Sequence, residues 1–158
     1  MYLFVLEKSP KVWREANALR KPLQQLLEGY GGIVAKIRDG LSDSDNINFR
    51  PLEGFTLPAP WFRGRVLLIG DAAHPTTPQL ASGAGMAVED GLVLADELQR
   101  ARNDAPAALL ATMARREGRC RLIVEGSMEI GRLEQARAPV EAQTAVVQRV
   151  LAALTEPI

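Results

Sequence analysis

The chain has 158 residues, 19 basic and 19 acidic, and 47% of its residues are hydrophobic, which suits one compact domain with an apolar core. The balanced charge argues against nucleic-acid binding, which needs a basic excess to offset the phosphates. One cysteine and one histidine exclude an internal disulfide and multi-cysteine or multi-histidine metal sites, so we expect no metal. No apolar run is long enough to span a membrane, and the first ten residues lack a secretory-signal layout. We therefore expect no membrane partner and a cytoplasmic location.

The first third of the chain predicts the order strand, helix, helix, strand. The apolar run 2–6 is bounded by charge and predicts a buried strand. A helix is expected from about residue 12 to residue 28, and an apolar stripe over 33–41 predicts a second one. Residues 47–50 alternate between apolar and polar side chains, which predicts a half-exposed strand.

The proline-rich stretch 51–64 predicts a boundary, and the last third of the chain is predicted to be helical. Asp104 is expected to cap a helix that runs to about Leu133. Pro139 is expected to open a final helix, whose apolar face would pack internally or form a dimer contact; this face consists of Val140, Thr144, Val147, Leu151 and Leu154. We therefore divide the chain into three regions, 1–50, 51–100 and 101–158.

The residues that could bind a ligand or take part in a reaction lie in the segment 64–98. Its four consecutive apolar residues 66–69 predict a buried parallel strand, with both faces covered. Gly70 and Asp71 follow that strand, at the edge where open α/β folds bind ligands. A carboxylate at this position can accept hydrogen bonds from sugar or polyol hydroxyls, and Gly70 allows a ligand to approach the backbone closely.

A helix is predicted to begin at Gly83, with Ser82 as its N-cap. Its apolar side is expected to contain Ala84, Val88, Gly91, Leu92, Ala95 and Leu98. The two glycines in the first turn each cost about 1 kcal/mol relative to alanine. They leave the backbone N–H groups open to an anion or a partly negative oxygen. The pattern is neither a P-loop nor a dinucleotide fingerprint, because the required lysine and third glycine are missing.

Taken together, Gly-Asp-Ala-Ala-His at 70–74, Pro78, Gly83-Ala84 and Glu89-Asp90 resemble the second FAD-binding motif of the class A flavoprotein monooxygenases. These aromatic hydroxylases are similar in fold to para-hydroxybenzoate hydroxylase. The resemblance implies an α/β fold class: a helix-rich, C-terminal part of a flavin-monooxygenase FAD-binding fold with a few strands. Region 1–50 would be the end of the substrate domain, 51–100 the flavin motif and 101–158 the C-terminal helices.

The resemblance also implies roles for the residues of the motif. Asp71, after Gly70, would bind the ribityl hydroxyls of FAD, and Pro78 would lie beside the isoalloxazine and the substrate. The N–H groups of Gly83, Ala84 and Gly85 would face the N1/O2 edge of the flavin. In the family, NAD(P)H reduces FAD, and a flavin hydroperoxide hydroxylates a small aromatic substrate. No residue of this segment is assigned an acid–base role, because the cofactor carries the chemistry.

The first FAD-binding motif of that family, Gly-x-Gly-x-x-Gly, is absent from this sequence. We therefore expect the chain by itself to bind FAD weakly or not at all, and to need a complementary N-terminal half or self-association. Two alternatives remain open. One is a non-catalytic helical interaction module that retains the motif as a relic. The other is a small nucleotide-binding protein that uses only the helix start at Gly83.

Several other residues have simpler interpretations. His74 is expected to be a structural loop residue, and Cys120 a small packed one. Glu89 and Asp90 are expected to lie in the first turn of their helix and to interact favourably with its dipole. The basic cluster is expected to be a solvated helix face, with anion binding as the alternative; it consists of Arg115, Arg116, Arg119 and Arg121. Trp13 and Trp61 are expected to pack in the core or a loop, with contact to an aromatic substrate as the alternative.

Overall fold

The computed structural model describes residues 15, 18–43, 45–102 and 104–158. Among these residues the chain separates into two compact units, one ending at Pro51 and the other comprising Leu52–Ile158. The strand predicted at 2–6, Trp13 and the start of the helix predicted from residue 12 lie outside the described residues.

The smaller unit contains two short helices, α1 (Arg20–Leu26) and α2 (Gly32–Gly40). Pro22 is tolerated in the first turn of α1, where an N–H group would have no intrahelical acceptor. The helix predicted from the stripe over 33–41 is confirmed as α2. The strand predicted at 47–50 is wrong: these residues have no regular secondary structure. Alternation makes a strand only where a second strand pairs with it, and the described chain offers none here.

The larger unit begins with a hairpin of two short strands, β1 (Phe62–Arg63) and β2 (Val66–Leu67). They pair antiparallel, with Phe62 opposite Leu67. Gly64 has φ +61°, the positive value that a two-residue hairpin turn needs at its first position. The prediction of a buried parallel strand over 66–69 is therefore wrong. The turn sends the chain back along β1, and Val66 remains 67% exposed.

Three helices form the body of this unit: α3 (Gly83–Arg100), α4 (Ala105–Gln135) and α5 (Val140–Leu154). The predicted cap is confirmed, because the Asp104 carboxylate accepts the N–H of Ala107 at 3.3 Å. The helix predicted after Pro139 is also confirmed. The buried core is shared by the hairpin region and all three helices; it consists of Trp61, Ala73, Met86, Met113, Cys120, Ile123, Ile130, Val146 and Val150.

The faces that α3 and α5 bury differ from the predicted ones. On α3 the expected apolar side is largely exposed, with Val88 and Leu92 each 63% accessible. The buried positions of α3 are Met86, Asp90, Val93 and Glu97. On α5 the burial centres on Val146 and Val150, whereas Val140 and Leu151 of the predicted stripe are exposed. None of the helices in the described part of the chain combines the length and apolarity needed to cross a membrane.

Candidate functional site

A groove of about 570 Å³ lies between the end of the hairpin and the start of α3. Its lining includes five of the six residues predicted for the site: Gly70, Asp71, Pro78, Gly83 and Ala84. Gly85 lies in the same first turn of α3 and is exposed, but it does not line the groove. The remaining lining residues are small or apolar, apart from three hydroxyl-bearing ones; they are Ile69, Thr76, Thr77, Ala81, Ser82 and Ala87.

The first wall of the groove is the 3₁₀ turn Gly70–Ala72. Gly70 is buried, with φ +56°, and a Cβ on it would come within 2.9 Å of the Ala87 Cβ. Only glycine therefore allows the backbone to lie this close to α3. Asp71, next along the turn, is exposed at the groove. The turn thus places Asp71 at the groove while its backbone packs against the helix.

The second wall is the 3₁₀ turn Pro78–Leu80. The Ser127 hydroxyl, on α4, donates to the Thr77 carbonyl at 2.6 Å and accepts the N–H of Leu80 at 3.3 Å. The Gln79 side-chain amide also lies 3.3 Å from the Glu134 carboxylate. Since Ser127 is fully buried, α4 holds the Pro78 turn in place from behind the groove.

The third wall is the N-terminal end of α3. Ser82 does not cap this helix, contrary to the prediction: its backbone is in the helical region and its hydroxyl donates to the Leu80 carbonyl at 2.8 Å. The Ser82 side chain therefore does not accept a hydrogen bond from the first N–H groups of α3. They give this end of the groove a partial positive charge.

Behind the groove lies a buried cluster centred on Asp90, which is 2% exposed. One of its oxygens, Oδ2, accepts the N–H of Gly70 at 2.9 Å and lies 2.7 Å from His74 Nε2. The other, Oδ1, accepts a hydrogen bond from Arg116 Nε at 2.8 Å. His74 is itself buried, and its ring lies against the indole of Trp61 with the centroids 5.2 Å apart. Trp61 is thus a core residue, as expected.

The cluster is charged in the folded state. Burial raises the pKa of Asp90, but the hydrogen bonds from His74, the Gly70 N–H and Arg116 outweigh it and hold the pKa at about 2. Burial raises the pKa of the Cys120 thiol to about 12, so this thiol stays protonated. His74, Asp90 and Cys120 place donor atoms within 4.8 Å of one another. The guanidinium of Arg116, in contact with both Asp90 and Cys120, makes this an ion-pair cluster that disfavours a metal cation.

Two predictions about these charges are wrong. Arg116 is 1% exposed and pairs with Glu89 at 2.6 Å, so it does not belong to a solvated face. Arg119 also pairs with Glu89, at 3.0 Å, and donates to the Leu154 carbonyl at the end of α5 at 2.8 Å. Glu89 and Asp90 lie beyond the first turn of α3 and bind arginines instead of the helix dipole. The sequence signal for these ion pairs is the pair of adjacent acids on α3, Glu89 and Asp90, together with two arginines three residues apart on α4, Arg116 and Arg119.

The helix-rich fold matches the FAD-binding fold of flavin monooxygenases. Residues 39–127, more than half of the chain, match the family described as "FAD binding domain", and the chain belongs to this family. The resemblance found from the motif is thereby confirmed, and so is FAD as the cofactor of the family.

The similar proteins agree with this assignment. YetM of Bacillus subtilis is 37% identical over 132 residues, which cover 83% of this chain and 35% of YetM. The 6-hydroxynicotinate 3-monooxygenase of Pseudomonas fluorescens is 57% identical over 83 residues, covering 52% of this chain and 20% of that enzyme. A variant of Klebsiella pneumoniae HpxO, solved in complex with FAD, matches with a TM-score of 0.68 and 26% identity, over 90% of this chain and 37% of that one. The matched part of the chain thus covers between 20% and 37% of the length of these proteins, and the expected fold is confirmed.

Proposed function

We propose that this chain forms the isoalloxazine- and ribityl-binding part of an FAD-dependent monooxygenase that hydroxylates a small aromatic substrate. The observation that carries the proposal is the groove where the Asp71 carboxylate, the Pro78 turn and the uncapped start of α3 meet. When bound, FAD would supply the redox chemistry, with NAD(P)H as reductant and O₂ as oxidant. The residues of this chain bind and orient the cofactor.

The donors and acceptors of the groove fit a flavin. The Asp71 carboxylate can accept hydrogen bonds from ribityl hydroxyls, and charge-assisted bonds of this kind are stronger than neutral ones. The start of α3 places N–H groups and a partial positive charge at the groove, which stabilises the negative charge of a reduced flavin. Because Gly83 and Gly85 have no side chains, these N–H groups remain accessible.

The Pro78 turn supports the proposed substrate class. Pro78 is exposed at the groove, and the Ser127 hydroxyl fixes the turn by donating a 2.6 Å hydrogen bond to the Thr77 carbonyl. A rigid turn at this place can exclude water from a flat ring bound beside the flavin. The name of the 6-hydroxynicotinate 3-monooxygenase specifies a small aromatic substrate, and that relative is 57% identical over 83 residues.

The complete cofactor site requires a second polypeptide region. This sequence has no Gly-x-Gly-x-x-Gly for the pyrophosphate of FAD. Strand β2 and helix α3, on either side of the groove, also expose apolar side chains: Val66 is 67% accessible, and Val88 and Leu92 are each 63% accessible. Burying a side chain of this size stabilises a complex by about 1.5–3 kcal/mol. We infer that a complementary N-terminal half, carrying the pyrophosphate site, covers these residues; a second copy of the chain is the alternative occupant.

Flavin titration of the chain tests the proposed function. Riboflavin, FMN and FAD should bind with similar, weak affinity, because all three share the isoalloxazine and ribityl groups. Asp71→Ala should weaken each by about tenfold, whereas Asp43→Ala, which removes an exposed carboxylate of the other unit, should have no effect. Tight, stoichiometric FAD in the purified chain would contradict the weak binding. If ADP displaces bound FAD and the chain binds ADP as well as it binds the flavins, the nucleotide-binding alternative is favoured.

A chimera separates the enzyme from the interaction module. The matching segment of the 6-hydroxynicotinate 3-monooxygenase is replaced by the corresponding residues of this chain, and bound flavin is measured by its visible absorbance. We expect the chimera to retain FAD and to lose it on Asp71→Ala. A folded chimera that retains no FAD would instead support the non-catalytic module.

A further inference from the structure

Asp90 does not line the groove, yet it connects two of its three walls. It is part of α3, and its Oδ2 accepts the N–H of Gly70 at 2.9 Å, in the turn that presents Asp71. Gly70 is in turn pressed against Ala87 of the same helix. The distance and orientation between the Asp71 carboxylate and the start of α3 therefore depend on this one buried carboxylate.

Asp90 is itself held in a single orientation. His74 Nε2 lies 2.7 Å from the same Oδ2, and Arg116 Nε donates to Oδ1 at 2.8 Å. Arg116 cannot move freely, because its other nitrogens contact the Glu89 carboxylate at 2.6 Å and the Met86 carbonyl at 3.2 Å. A carboxylate fixed from both sides holds the Gly70 N–H more firmly than a rotating side chain would.

The geometry points to Asp90 as a positioning residue that sets the Gly70–Asp71 turn against the start of α3 at the spacing that a flavin requires. This inference rests on the proposed function, since the flavin is the ligand that would sense the spacing. His74 assists from the far end of the loop by sharing the same oxygen. Neither side chain touches the ligand, and their effect is transmitted through the Gly70 backbone.

Asp90→Asn is the variant that tests this role. An asparagine has one oxygen in place of two, and the cationic Arg116 is expected to take it. The amide NH₂ then faces Oδ2's former partners. A neutral His74 can accept from that NH₂, but the Gly70 N–H is left opposite a donor and loses its hydrogen bond.

Glu97→Gln provides a matched control for a general loss of stability. Glu97 is on the same face of α3, is 8% exposed and pairs with Arg115 at 2.5 Å. Both variants therefore neutralise a buried carboxylate that pairs α3 with an arginine of α4. Only Asp90→Asn affects the turn at the groove.

Two measurements on the 158-residue chain decide the question. Amide hydrogen exchange, followed by NMR, should be about tenfold or more faster at Gly70 in Asp90→Asn than in Glu97→Gln, each relative to the Ile123 amide of the core. Riboflavin, the probe ligand, should bind about tenfold more weakly to Asp90→Asn than to Glu97→Gln. Equal Gly70 exchange in the two variants, or equal riboflavin affinity, overturns the positioning role.

The amide-exchange and riboflavin-binding measurements also separate the positioning role from the proposed function. If the unsubstituted chain binds no riboflavin and the chimera retains no FAD, the proposed function fails, and the Gly70 exchange alone decides whether Asp90 holds the turn. If it binds riboflavin and both variants bind it equally, the proposed function stands and the positioning role is wrong.

Discussion

Replacing Gly70 by alanine tests the contact between the Asp71 turn and α3. The residue has φ +56°, which costs an L-amino acid about 1–2 kcal/mol. The new Cβ would also lie 2.9 Å from the Cβ of Ala87, and overpacking of this kind costs about 1–3 kcal/mol. The sum predicts that Gly70→Ala lowers the free energy of unfolding of this unit by about 2–5 kcal/mol.

Gly64→Ala separates the two contributions. Gly64 has nearly the same φ, +61°, but nothing lies within 4 Å of a Cβ placed on it. It should therefore cost only the backbone part, about 1–2 kcal/mol. The double variant Gly70→Ala/Ala87→Gly removes the opposing methyl group and should recover the overpacking part, apart from about 1 kcal/mol lost because glycine weakens α3.

Urea unfolding followed by tryptophan fluorescence measures these differences. The chain has two tryptophans, so Trp13→Phe leaves Trp61 as the only reporter. Trp61 is 4% exposed and lies in the core of the unit that contains Gly70. If Gly70→Ala destabilises no more than Gly64→Ala, or if Ala87→Gly costs as much stability in the presence of Gly70→Ala as it does alone, the close approach of the turn to α3 is wrong.

Three further predictions concern the interior of the same unit. Gly126→Ala should be less stable than Gly118→Ala by about 1–3 kcal/mol in urea unfolding. A Cβ at position 126 would lie 2.7 Å from the Val150 side chain, whereas nothing lies within 4 Å of a Cβ at position 118. Equal stabilities of the two variants would refute the close packing of α5 on α4. The pKa of Asp90 is lowered from 3.8 to about 2, which adds about 2 kcal/mol to the free energy of unfolding. This contribution is fully present above the ordinary pKa and is lost as the pH falls through about 2. The stability difference between the chain and Asp90→Asn should accordingly shrink in acid, and a difference independent of pH would contradict the ionised, hydrogen-bonded carboxylate. Cys120 is fully buried with a raised thiol pKa, so it should react with a thiol reagent only when the chain unfolds, and rapid labelling under native conditions would count against that burial.

The flavin motif could be recognised from the sequence because its elements are local. Gly70, Asp71, Pro78 and the glycines at the start of α3 lie within sixteen residues of one another. The cap at Asp104 and the start of α5 after Pro139 depend on neighbouring residues in the same way. Local rules of capping and turn chemistry therefore located these features correctly.

The sequence alone could not show which face of α3 is buried, because that depends on α4. Apolar periodicity indicated the side with Val88 and Leu92, which is exposed, while the buried side carries Asp90 and Glu97. A buried carboxylate is tolerated only where a distant partner satisfies it, and Arg116 is 26 residues further along the chain. The sequence alone predicted five of the residues that line the groove. Only the tertiary structure decided that a buried ion-pair cluster holds them together, since such pairing is set by the packing of helices and not by local preference.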